Sequence, residues 1–228
     1  MDRPMDRQAW LAERRAAIVA TYDAEAATYD ENPYPAEAQR AWVDRLVALT
    51  PPAGSILDAP CGTGAYFSAV VDAGRRVAGV DQSAGMLEQA RARGLAASLE
   101  RGTLQDLTYE HAFDGVLTID AMENVPPEDW PVVLANLRRA VRPGGPLYLT
   151  VEEIHEAEID EAFRSLSARG DPAVHGEVVE GDVAGYHYYP GRERVLGWLE
   201  AEGLGVEDEA LVPVGEWAYR HFLLRAPG

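Results

Sequence analysis

Four apolar runs in this chain each finish on a carboxylate: Asp58, Asp81, Asp120, and Glu152 with Glu153. If those runs are strands of a parallel α/β sheet, their carboxyl ends converge on the crevice where such sheets bind ligands. A crevice lined by acids suits a ligand that brings hydroxyl donors or positive charge. Asp81 lies 23 positions after Asp58, about where nucleotide-binding α/β folds place the carboxylate that receives two vicinal ribose hydroxyls. The competing role for Asp81 is a helix N-cap, and Ser83 is available for that job. Asp58 is followed by Ala59, Pro60, Cys61 and a Gly62-Thr63-Gly64 turn. The two glycines let the backbone turn sharply and approach a ligand where a Cβ would collide. A helix starting just after the turn would offer N–H groups to an anionic group.

These residues need strands and helices to bring them together. Ser55–Asp58 reads as a strand, followed by a tight loop and a helix with Phe67, Val70 and Val71 on its apolar face. Gly74 caps that helix, and Arg76–Asp81 reads as a buried second strand. Met86 and Leu87 open a helix to Gly94, and Ala97–Arg101 forms a third strand leading into Gly102–Leu107. Val116–Ile119 is a strand ending at Asp120. A helix over about 128–141 carries Trp130, Val133, Leu134, Leu137 and Val141 on one face, and Leu147–Glu153 is the fifth strand. A dinucleotide fingerprint would want a small residue three positions after Gly64, and that place is Phe67. Asp58 would also sit unfavourably beside a pyrophosphate. A cofactor carrying an ammonium and a sulfonium meets no such conflict.

The Asp58-x-x-x-Gly62-x-Gly64 loop, Asp81, and the order Phe113-Asp114, helix, Arg142-Pro143-Gly144-Gly145, strand resemble the core of class I, Rossmann-like methyltransferases that use S-adenosylmethionine (SAM). The resemblance covers roughly residues 50–152. It implies an α/β fold with a seven-stranded mixed sheet and helices on both faces. It also implies SAM as cofactor and S-adenosylhomocysteine as product. In the resembled family, Asp58, Ala59, Pro60, Gly62 and Gly64 would form the cofactor loop, with Asp81, Gln82 and Met86 following. Asp120 and Ala121 would lie at the methyl end. The adenine segment often has an Asp directly after its Gly; here Thr103 stands there, so Thr103 and Asp106 are alternatives for the adenine amine beside Leu104. Tyr22 and Tyr29 match the spacing of a lid over the cofactor.

The flanks are read more coarsely. Residues about 6–31 are expected to be helical, broken at Asn32-Pro33-Tyr34-Pro35, with a second helix over about 36–49. Residues 1–50 are then an N-terminal helical lid or, alternatively, two helices covering a sheet edge. Residues 51–228 form the SAM-binding domain, with a substrate-cap insertion at about 153–190. That insertion is read as an acidic helix over 153–170 and a polar, Gly-containing stretch to 185. A helix over 191–202 and strands over 204–212 and 216–225 close the chain.

Methyl transfer from a sulfonium is an in-line displacement with an activated donor, so positioning supplies most of the rate. A base is needed only for a hydroxyl or a protonated amine; His155, His187 and Tyr188 are the candidates. Asp120, Glu152, Glu153 and His155 offer oxygen and nitrogen ligands for Mg²⁺, but no spacing demands a metal and none is expected. The formal charge of -18 disfavours nucleic acid and anionic lipid. The basic residues are all arginine, since lysine is absent. A lone cysteine, Cys61, suits packing and a reducing cytoplasm. No apolar stretch approaches a membrane span, and the N-terminal residues lack a signal-peptide core. The expectation is a cytoplasmic SAM-dependent methyltransferase, monomeric or homodimeric, acting on O or N of a small molecule. A SAM sensor without an acceptor site, or an NAD-dependent oxidoreductase, is the alternative.

Overall fold

Strands β1 (Ser55–Asp58), β2 (Arg76–Asp81), β4 (Gly115–Thr118) and β5 (Pro146–Glu153) are largely apolar runs, and β3 (Ser98–Arg101) is a short, polar edge strand. They pair in parallel, with β1 between β2 and β4. Burial on both faces explains why β1, β2 and β4 read as continuous rather than alternating apolar runs. Strands β6 (Glu177–Glu180) and β7 (Gly185–Tyr188) form a separate hairpin. Strands β8 (Gly205–Val214) and β9 (Trp217–Arg225) return antiparallel, giving the sheet order β3-β2-β1-β4-β5-β9-β8. This computed structural model describes residues 6–31, 36–180, 185–215 and 217–228. The expected break at Asn32–Pro35, the first five residues and residues 181–184 of the insertion lie outside the described residues.

Helices cover both faces of the sheet, and the sheet is seven-stranded and mixed, as the sequence led us to expect. On one face α2 (Ala36–Leu49), α3 (Phe67–Asp72) and α4 (Ala84–Ala92) bury Trp42, Leu46, Phe67, Val70 and Leu87. On the other, α5 (Trp130–Ala140) and α7 (Arg192–Ala201) bury Trp130, Leu134, Leu137 and Leu199, with Trp130 stacked on Trp198 at 4.9 Å. The remaining helices are α1 (Arg7–Glu25) and α6 (Glu156–Arg169). Residues 1–50 therefore divide: α2 belongs to a face of the sheet, while α1 packs through Trp10 and Ile18 into the other core. Among the described residues no helix is long and apolar enough to cross a membrane.

The polar stretch after α6 contains the β6–β7 hairpin, which the sequence reading left without strands. Tyr186 and Tyr188 alternate inward along β7, on the same face as Glu177 of β6. Gly176 makes the turn at φ +103, where an added Cβ would sit 2.7 Å from the Tyr188 ring. The hairpin holds α1 through Glu177, whose fully buried carboxylate accepts from Arg7 at 2.6 and 2.7 Å and from the Tyr186 hydroxyl at 2.7 Å. Trp10 meets Tyr186 edge-on at 5.8 Å. Helix α1 and the hairpin thus form one cap.

His221 on β9 lies beside Tyr148, whose hydroxyl meets its Nδ1 atom at 2.7 Å; both rings stack on Trp42, and His221 is 1 % exposed. Burial pushes its imidazole down to about 4. Its folded value lies below its unfolded value, so the unfolded chain takes up this proton first. The associated stability is present above pH 6.5 and is lost as pH falls toward 4, by about 3 kcal/mol. Urea unfolding of wild type and His221→Gln at pH 7 and pH 4 is expected to show a smaller acid loss in the variant. Equal losses would exclude His221 as a source of acid sensitivity.

Candidate functional site

A cavity of about 930 Å³ opens at the carboxyl ends of β1, β2 and β4. This lies near the top of the 300–1,000 Å³ range for pockets that hold one drug-sized ligand, so two bound molecules can share it. Its floor is the loop from Pro60 to Tyr66, its walls come from β2, β4 and the 102–106 segment, and α1 lies across it.

The loop is built by glycine. Gly62 adopts φ +51 and faces open space. Gly64 adopts φ +79, and a Cβ there would lie 2.6 Å from the Phe67 ring. The N–H groups expected to stand free are used within the protein: Gly62 donates to Asp81 at 2.8 Å, Gly64 to the Cys61 carbonyl at 2.8 Å, and Phe67 to the Gly64 carbonyl at 3.1 Å. Phe67 sits at the position that a dinucleotide loop keeps small because its ring passes beneath Gly79 of β2. There an added Cβ would lie 2.9 Å from the ring tip. Cys61 is buried, and burial pushes its thiol up, consistent with packing rather than reactivity.

Asp81 accepts from Gly62 and, through its other oxygen, from Ser83 at 2.8 Å. The N-cap of α4 is Ser83 itself, whose hydroxyl receives Met86 N–H at 3.0 Å. Asp81 is therefore left to face the cavity. Burial raises its carboxyl above the usual range. Thr103 donates to Asp106 at 2.7 Å, so the two alternatives for the adenine form one unit in which Asp106 keeps an acceptor oxygen. Gln82, Met86, Leu104, Asp120 and Ala121 also line the cavity. Tyr22 and Tyr29 line it too, in edge contact at 6.1 Å.

Asp58, Ala59 and Gly64 are buried behind this wall and do not line the cavity. Neither carboxylate oxygen of Asp58 has a hydrogen-bond partner. Burial pushes Asp58 well above the carboxylate range, and the charge of Asp81 adds to the shift. A cationic ligand in the loop would relieve both. Asp58→Asn is therefore expected to leave the ligand-free melting temperature at or above wild type while weakening S-adenosylhomocysteine binding. A large drop in melting temperature would show instead that the charge is needed by the fold.

The base candidates lie elsewhere. His155 is exposed at the start of α6. His187 sits half-buried on β7 with Tyr189 at 6.0 Å. Tyr188 is fully buried, its hydroxyl accepting from Arg194 at 2.6 Å. None of the three lines the cavity: His155 is at the exposed start of α6, and β7 packs against α1 and the Met122–Asn124 turn. The Mg²⁺ ligand set is not assembled: Glu153 pairs with Arg220 at 2.5 Å, and His155 points to solvent. Among the described residues no group of three or more metal-ligating side chains forms.

Sequence reasoning missed several lining residues. Asp30 accepts from Thr63 at 2.7 Å and from Arg93 at 2.5 Å, which ties the turn carrying Tyr29 to the glycine loop. Tyr66, at the end of that loop, donates to Gln39 at 2.5 Å. Asp120 adopts φ +53, a strained value for a non-glycine residue. Its backbone N–H donates to the Thr150 hydroxyl at 2.7 Å, and Tyr219 donates to its carboxylate. Behind it lies Glu123, 3 % exposed, pushed well up by burial and by the charges of Asp120 and Glu152.

A family profile described as "Methyltransferase domain" matches residues 56–145. A malonyl-[acyl-carrier protein] O-methyltransferase of Serratia marcescens is 30% identical over 161 residues, covering 67% of this chain and 59% of the relative. A cypemycin N-terminal methyltransferase of a Streptomyces species is 33% identical over 103 residues, covering 42% of this chain and 40% of that protein. The chain spans about six-tenths of the length of the malonyl-[acyl-carrier protein] relatives it matches. Among solved structures, 1,6-didemethyltoxoflavin-N1-methyltransferase of Burkholderia thailandensis, with S-adenosylhomocysteine bound, superposes with a TM-score of 0.70. It is 17% identical and covers 100% of this chain and 94% of that one. By its sheet order, its glycine loop and these matches, the chain belongs to the class I SAM-dependent methyltransferase family.

Proposed function

We propose that the chain transfers the methyl group of SAM to an oxygen or nitrogen of a small-molecule acceptor held in the cavity over β1, β2 and β4. The observation that carries this reading is the shared cavity itself. Its wall carries the loop from Pro60 to Tyr66, Asp81 and the Thr103–Asp106 pair together with Tyr22, Tyr29 and Asp120. In this reading Asp81 receives the ribose hydroxyls, Asp106 accepts from the adenine amine, and Leu104 and Met86 pack the ring. Asp58 supplies negative charge behind the cationic tail. When bound, SAM supplies an electrophilic methyl carbon; the chain holds the acceptor in line and excludes water. Helix α1, bolted to the hairpin and to α4, is the lid of this arrangement.

The relatives differ in acceptor and in the atom methylated, so the chemistry of the acceptor rests on the residues of this cavity. Calorimetric titration with SAM, S-adenosylhomocysteine and NAD⁺ tests the reading. Micromolar binding of the first two and none of NAD⁺ is expected. Binding of NAD⁺ alone would overturn it.

A further inference from the structure

The charged side chains that line the cavity are five carboxylates, Asp30, Asp81, Asp106, Asp120 and Asp129, and two guanidinium groups, Arg15 and Arg93. Both guanidinium groups are already engaged. Arg15 pairs with Asp129 at 2.6 Å, and Arg93 pairs with Asp30 at 2.5 Å. The chain has no lysine to add a third cation. Three carboxylates therefore face the cavity with no ion-pair partner among the described residues. Two of them, Asp81 and Asp106, belong to the nucleoside end of the cavity.

Asp120 is the third, and the sheet order separates it from the nucleoside end. It follows β4, while Asp81 ends β2, with β1 between them. Two strand spacings put the two carboxylates roughly 10 Å apart. Asp120 does not stand alone: Glu123 and Glu152 lie close enough for their charges to act on one another. Glu123 is 3 % exposed, and its Oε2 atom has no hydrogen-bond partner. The Tyr219 hydroxyl donates to Asp120 and the Asn124 amide to Glu123. The rings of Tyr22, Tyr29 and Tyr66 stand around the same space, and aromatic faces attract cations. An acceptor entering as a carboxylate meets Asp120 and, among the described residues lining the cavity, no unpaired cation to receive it.

We propose that the acceptor is an amine, bound as its ammonium ion with the nitrogen against Asp120 and its carbon frame among the three tyrosine rings. The proposal rests on the methyl-transfer reading and narrows its acceptor. One ammonium proton moves to the Asp120 carboxylate, leaving a lone pair on nitrogen. That nitrogen forms its bond to the methyl carbon as the carbon–sulfur bond breaks and its electron pair stays on sulfur. The methylated ammonium product is again a cation, and the faces of the tyrosine rings around it stabilise it.

The test uses protein saturated with S-adenosylhomocysteine, titrated calorimetrically with tyramine, tryptamine and 2-cyclohexylethylamine, each beside the alcohol and the carboxylic acid of the same frame. At least one amine is expected to bind tenfold or more tightly than both of its twins. Asp120→Asn is expected to reduce that preference below threefold, with S-adenosylhomocysteine affinity within twofold of wild type. Glu123→Gln is the second variant should the first fail to fold, and is expected to reduce the preference in the same direction. The proposal is overturned if no amine outbinds its acid and alcohol twins, or if both variants keep the preference. Failure of S-adenosylhomocysteine itself to bind would bring down the methyl-transfer reading; its binding without amine preference would bring down only this one.

Discussion

Asp81→Ala is expected to weaken binding of S-adenosylhomocysteine at least 100-fold, about 2.8 kcal/mol at 1.4 kcal/mol per tenfold. Two losses add. Each ribose hydroxyl donating to an ionised carboxylate contributes about 1.5–3 kcal/mol. The same carboxylate also holds the Gly62 and Ser83 N–H groups at 2.8 Å, so the glycine loop loses one of its ties to β2 and keeps the Cys61 N–H bond to the Val80 carbonyl at 2.9 Å. Asp81→Asn, which keeps one acceptor oxygen, is expected to fall between the variant and wild type. Calorimetry gives the affinities, and circular dichroism separates lost binding from lost fold. An alanine variant that binds normally would remove Asp81 from the cofactor site altogether.

The second large effect belongs to the cap. Arg7→Ala is expected to destabilise the protein by about 3–5 kcal/mol, the range for stripping one partner from a buried ion pair. Glu177 is the reason: its side chain is 0 % exposed, and Arg7 is its counter-ion. The Tyr186 hydroxyl and the Val174 N–H remain as donors, but neither carries charge. Because α1 and β6–β7 touch each other more than the sheet, the loss is expected to appear first as hydrogen exchange in those two elements. A melting temperature lowered on the order of 10 °C would accompany it if the cap and sheet unfold together. Unchanged exchange in the hairpin would show that Arg7 is not the latch.

The parts of the fold that could be read in the sequence are those where local chemistry repeats global structure. Ser55–Asp58 and Arg76–Asp81 announce buried parallel strands because both faces are apolar, and Ser83 announces the α4 cap because its hydroxyl serves Met86 three residues on. Phe67 was legible only in part. It marks the loop as no dinucleotide site, but the small residue that makes room for its ring is Gly79, twelve residues away on another element. The β6–β7 hairpin was hidden for a related reason: four-residue strands among Gly, Asp and Glu carry almost no periodic signal, and the hairpin is stabilised by Trp10 and Arg7 from the far end of the chain. The candidate bases failed on direction. A histidine next to a strand end in sequence can face either side once the chain turns, and His155 turns outward. Asp120, by contrast, was placed by its strand, and the positive φ that aims it left no trace in residue type.

Strand β9 is the last strand of the chain and yet lies inside the sheet, between β5 and β8. Its Tyr219 donates the hydrogen bond that holds Asp120. During synthesis, at about 5–20 residues per second, the nucleoside end of the cavity can therefore be complete many seconds before the acceptor end exists. A growing chain released from the ribosome short of β9 would hold a glycine loop and Asp81 but no anchored Asp120, and would expose the unpaired edge of β5 to aggregation. Occupancy of the cofactor loop is thus available as an early check on folding, while the anchoring of Asp120 waits on the most distant strand pairing in the sheet.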